Sequence, residues 1–129
     1  MKKIALLIGC ALIWFFSSTE TVLANKTSVF IEGPSTAGKG SEVTLCLTVT
    51  HNANSFFHYT KLVTVQVNGQ PFIQWVFTSG KRPEGAVFKR EVKIRITGNT
   101  EVVAEAYCNI HGSEGPAKVT IVPSESGAP

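Results

Sequence analysis

Glu42-Val43-Thr44-Leu45-Cys46-Leu47-Thr48-Val49-Thr50 is the stretch whose reading decides the class of fold. Leu45, Leu47 and Val49 alternate with Thr44, Cys46, Thr48 and Thr50. Successive side chains of a strand point to opposite faces, so this is a strand with one apolar face and Cys46 on the other. The same texture extends outward. Upstream, residues 28–33 are β-branched and apolar, separated from the first stretch by the Pro- and Gly-rich turn at 34–40. Downstream, 59–67 alternates again, and Asn68-Gly69 marks a tight hairpin turn into 72–77. After a polar loop at 80–85, strands are expected at 86–96, 100–107 and 118–122. Helical periodicity is missing after residue 24, and there is no internal repeat. Short strands at this spacing predict an all-β fold, a seven-stranded antiparallel immunoglobulin-like sandwich.

The first 24 residues read differently. Met1-Lys2-Lys3 is basic, Ile4 to Phe16 is apolar, and Val22-Leu23-Ala24 offers small or aliphatic residues before a cleavage point. This predicts a secretory signal peptide at 1–24, too short and wrongly flanked to span a bilayer. Leu7-Ile8-Gly9-Cys10 also resembles a lipobox, but the apolar run continues past Cys10. The domain expected is therefore 25–122, with a tail at 123–129, in a periplasmic or secreted protein with no membrane association after signal removal. At such an address the Asn25-Lys26-Thr27 sequon carries no glycan meaning. The chain has 12 Lys and Arg and nine acidic residues, all Glu. Losing Lys2, Lys3 and Glu20 leaves 10 against 8, net +2, with no basic stripe, so no nucleic-acid partner is expected. Nothing in composition fixes the oligomeric state, and a homo-oligomer stays open.

The chemistry-bearing residues lie between the strands. The three histidines, His51, His58 and His111, fall outside every expected strand, at strand ends. His51 and His58 bracket a seven-residue step, and Cys108-Asn109-Ile110-His111-Gly112 sits just past the strand at 100–107. Cys-x-x-His at a turn can bring thiolate and imidazole to one ion, with Gly112 relieving the backbone. Cys46 and Cys108 joined as a disulfide is the competing reading in an exported domain. The strand period instead puts Cys46 away from the loops and predicts a buried free thiol. A cysteine hydrolase would leave His51 and His58 idle, with only Asn109 to orient the pair. A Ser/His/Asp triad has no Asp to use, and no Gly-x-Ser-x-Gly elbow is present.

Tyr107-Cys108-Asn109-Ile110-His111-Gly112 is similar to the C-N-x-H-G signature of superoxide reductases, the neelaredoxin and desulfoferrodoxin family. His51, a loop, then His58-Tyr59 leading into an apolar strand resembles that family's H-x5-H-Y/H segment, with the interval one residue longer. The resemblance runs from about residue 51 to 122. It implies the same sandwich fold and a mononuclear non-haem iron held by four imidazoles in a plane and one axial cysteinate. Carried over by motif, Cys108 would be axial and His51, His58 and His111 equatorial. The implied reaction is reduction of superoxide to hydrogen peroxide with an external one-electron donor protein. The family's remaining histidine follows a Glu-Lys, in E-K-H-V-P. Here Asn25-Lys26-Thr27-Ser28-Val29 keeps the lysine and has Thr27 in the histidine's place. By that alignment Lys26 is the catalytic lysine, attracting the anionic substrate, and Glu32 is the acidic residue at hand to replace the missing ligand. No rubredoxin-like Cys-x-x-Cys domain is present. The resemblance leaves two readings: a superoxide reductase-type enzyme, or a non-catalytic zinc- or copper-binding carrier with a His3Cys site.

Overall fold

The computed structural model describes residues 25–124; the signal peptide expected at 1–24 and residues 125–129 lie outside the described residues. Eight strands follow in order: β1 (Ser28–Glu32), β2 (Thr36–Gly38), β3 (Glu42–Thr50), β4 (Thr60–Val67), β5 (Gln70–Val76), β6 (Val87–Arg95), β7 (Thr100–Cys108) and β8 (Ala117–Ser124). They form a three-stranded sheet, β1-β3-β6, and a five-stranded sheet, β2-β8-β7-β4-β5. Among the described residues there is no helix, and the all-β sandwich expected from alternation is what the chain builds.

Alternation places the core. Leu45, Leu47 and Val49 from β3 meet Val63 and Val65 from β4, Val102, Ala104 and Ala106 from β7, and Ile121 from β8, all essentially without solvent exposure. Complete burial of a Val or Leu side chain stabilises by roughly 1.5–3 kcal/mol, so these facing rows hold the two sheets together. A Cβ on Gly33, at the end of β1, would run into Leu45 Cδ2, so the smallest side chain is needed there. The Asn68-Gly69 turn takes the left-handed conformation at both positions, φ 51° and 80°, as a two-residue hairpin requires.

Three details differ from the sequence reading. The strand Thr36–Gly38 lies inside the expected turn and pairs in parallel with β8, Thr36 against Val122 and Gly38 against Ser124. Three residues are too few to display a period, and the partner is more than eighty residues away. The same pairing carries β8 past Val122 to Ser124, so the last strand outruns the expected boundary. Cys46 is disulfide-bonded rather than the free thiol expected, while Cys108 is free.

Antiparallel pairing gathers the site. Ser28 pairs with Thr50, Thr50 with Val87, Thr60 with Cys108, and Leu62 with Val76. The last residues of β3, β5 and β7 therefore share one end of the sandwich with the first residues of β1, β4 and β6.

Candidate metal centre

Each candidate ligand is set by a short-range backbone device. His51 follows β3 directly; its N–H donates to the Ala86 carbonyl at 3.0 Å, which turns the ring inward, leaving it 4% exposed. His58 closes a tight turn with Ser55: each N–H donates to the other's carbonyl, at 2.8 and 3.2 Å, and Ser55 Oγ also accepts the His58 N–H. Asn54 Nδ2 donates to the Pro83 carbonyl at 2.9 Å, tying this loop to the one before β6. Beyond β7 the chain doubles back, Cys108 and Gly112 exchanging N–H···O bonds of 2.9 and 3.2 Å. Gly112 sits at φ +78°, the backbone freedom expected of it. Inside that turn the N–H groups of Ile110 and His111 both point at Cys108 Sγ, each at 3.3 Å.

The ligand atoms of His51, His58 and Cys108 lie within 4.8 Å of one another. Bonds of about 2.0–2.3 Å put two ligands of one ion within roughly 4.4 Å, so little movement separates this cluster from a ligating arrangement. His111 flanks it on the solvent side: its Nδ1 is 3.9 Å from Cys108 Sγ and its ring 5.2 Å from that of His58. The His58 and His51 rings are 4.7 Å apart and nearly perpendicular. Exposure runs from buried His51 and Cys108, through half-buried His58, to exposed His111.

Both nitrogens of His51 and Nε2 of His58 are buried without a hydrogen-bond partner. Leaving such an atom unpaired costs about 1–3 kcal/mol, and a metal ion is the partner that three imidazoles and a thiolate suit. Burial holds the His51 pKa below its usual value, and the neighbouring His58 ring pushes the same way. The carbonyls of Asn25 and Ala53 oppose that shift, standing beside the ring just outside hydrogen-bonding geometry. A neutral imidazole is the form that binds a metal. The residues present fit a metal.

Three of the candidate ligands expected from sequence, His51, His58 and Cys108, thus lie in one cluster with His111 at its edge; the neighbouring expectations fare unevenly. The segment before β1 runs beside the Cys108–Gly112 turn, Thr27 N–H donating to Gly112 O at 3.2 Å and Glu114 N–H to Thr27 O at 2.9 Å. Lys26 is exposed on this strap. Thr27 is fully buried, its hydroxyl engaged with that of Thr60 at 3.2 Å, and it is no histidine substitute. Glu32 cannot replace the ligand either. It pairs with Cys46, four strand positions from the Ser28–Thr50 pair, about 13 Å along the sheet at ~3.3 Å per residue. The Thr27–Thr60 contact had no signature in sequence, since two threonines 33 positions apart announce nothing locally.

The fold and site define a small β-sandwich with a His/Cys cluster at one end whose ligand atoms are close enough to hold a metal ion. The chain is similar in structure to a superoxide reductase (neelaredoxin) from Ignicoccus hospitalis, at 17% identity and TM-score 0.65, over 82% of this chain and 89% of that one. It is also similar to the CARDB domain of a Pyrococcus furiosus protein in complex with di-metal ions, at 16% identity and TM-score 0.61, over 83% and 95%. A PKD domain of an M14-like peptidase from a Thermoplasmatales archaeon matches at 11% and TM-score 0.58. At these identities the likeness is one of fold. No protein-family model and no curated protein sequence matches the chain.

Proposed function

We propose that this chain is an exported mononuclear iron protein of superoxide reductase type, taking its electron from an external donor protein. The observation that carries the reading is the convergence of unpaired buried imidazole nitrogens on a sulfur cradled by two N–H groups. Superoxide plus one electron and two protons gives hydrogen peroxide, and iron, when bound, supplies the one-electron redox chemistry. His51, His58 and Cys108 would hold the ion from the buried side, and His111 from the side open to solvent. Lys26, a cation on the strap beside the Cys108–Gly112 turn, would draw the superoxide anion toward that opening.

A second reading, a non-catalytic zinc or copper carrier, is favoured by one specific observation. With Thr27 engaged by Thr60, the side-chain donors number four, the count of a closed tetrahedral zinc site. Metal analysis of purified protein, followed by pulse radiolysis of the reduced form with superoxide, separates the two. The reductase reading expects iron near one per chain, a second-order reaction with superoxide, and a slower rate in Lys26→Ala whose deficit shrinks at high salt. Iron-loaded, reduced protein that is inert to superoxide would leave only the binding role.

A further inference from the structure

We infer that the side chain of Asn109 is a positioning residue, holding His58 in place against Cys108 and His111; the inference rests on the metal-site reading above. Asn109 Oδ1 accepts the Tyr59 N–H at 2.9 Å, and Asn109 Nδ2 donates to the Phe57 carbonyl at 3.1 Å. One amide thus grips the backbone immediately before and immediately after His58. The Asn109 N–H adds a third bond, to the Tyr59 carbonyl at 3.0 Å.

Other anchors for this stretch are few. The β4–β7 ladder is irregular between Thr60 and Leu62, so regular strand pairing does not extend to residues 57–59. Phe56 and Phe57 are 56% and 78% exposed, which leaves them little packing to fix the chain. The Ser55–His58 turn is local to the loop and shapes it without attaching it to β7. Attachment to the Cys108 turn falls to Asn109. Tyr59 offers a donor and Phe57 an acceptor, so the gripping group must accept and donate at once. An amide does both, a carboxylate only accepts, and a methyl does neither. Because Asn109 is covalently next to Cys108, the grip converts a contact across fifty residues into a fixed distance between His58 and the sulfur.

The test is a cobalt titration of the purified chain, following the thiolate-to-cobalt charge-transfer band. Asn109→Ala is expected to bind cobalt ~10- to 100-fold more weakly than wild type, the usual cost of losing a group that orients a ligand. Asn109→Asp keeps the acceptor for Tyr59 and should fall between them. The discriminating readout is a double-mutant cycle with His58→Ala. If Asn109 acts through His58, then Asn109→Ala costs little once His58 is alanine, less than about twofold, whereas independent residues would add. Wild-type affinity in both Asn109 variants, or full additivity in the cycle, overturns the inference while the metal site stands. If Asn109→Ala does not fold, the shape-conserving Asn109→Asp decides in its place. A wild-type chain that takes up no cobalt, zinc or iron removes the metal reading and this inference with it.

Discussion

At the end of the sandwich away from the histidines, Asn68 Oδ1 accepts the Glu101 N–H at 2.8 Å; at the histidine end, Asn109 Oδ1 accepts the Tyr59 N–H at 2.9 Å. The chemistry is the same and the consequences differ. Asn68 belongs to the two-residue turn between β4 and β5, and its bond to β7 only prolongs by one step a β4–β7 ladder that is regular at that end. Asn109 joins loops fifty residues apart where the ladder has broken down. One end is shaped by the strands. The other is assembled by individual polar contacts around three imidazoles and a thiol. Such a site should be sensitive to changes that leave the sandwich intact.

The largest effect expected is at the sulfur. Cys108→Ser should abolish the thiolate-to-metal band and reduce metal retention by at least a hundredfold, because hydroxyl is a poor ligand beside thiolate. Its circular dichroism should remain that of the wild type. A retained band would show that Cys108 is not a ligand and would erase the contrast between the two ends.

Leu47→Ala tests the opposite side of the comparison. Leu47 is fully buried between the sheets, and removing it should cost about 2–5 kcal/mol in urea unfolding. Metal stoichiometry of the folded protein should not change. A loss below 1 kcal/mol would mean that the core at β3 is not the main support of the sandwich.

Thr27→His sharpens the boundary between the two regions. The resemblance to superoxide reductases suggests that histidine here completes a ligand set. The buried Thr27–Thr60 pair argues otherwise, since a larger ring must displace a side chain with no solvent exposure. Destabilisation of about 1–3 kcal/mol is expected, with no gain in metal affinity. Tighter binding in isothermal titration would show that the strap can yield and that position 27 faces the ion.

The smallest effect concerns protons. The His51 pKa lies below 6.5 in the folded protein, chiefly through burial, so the unfolded chain takes up the proton first as pH falls. The stability His51 contributes is therefore present above pH 6.5 and is lost as pH drops from 6.5 through the folded value. Metal-free wild type should lose more stability between pH 7.5 and 5.5 than His51→Gln does. Equal losses would mean that the ring is solvated and that the buried half of the site is open.

The sequence by itself determined most of the strands and the candidate ligands, because both are local. A period of two over nine residues is visible in Glu42 to Thr50, Asn68-Gly69 names its own turn, and Cys108-x-x-His111 lies within one bend of chain. Only the tertiary structure decided what depends on register across the sheets. That includes the parallel pairing of Thr36–Gly38 with β8, the fate of Cys46, and the burial of Thr27 against Thr60. It also includes the distance that removes Glu32 from the site and the double grip of Asn109 on either side of His58. Strand alternation states which face a side chain takes, and it is silent about which distant residue waits there. That second fact comes from the summed pairing of eight strands, which no short stretch of the chain contains.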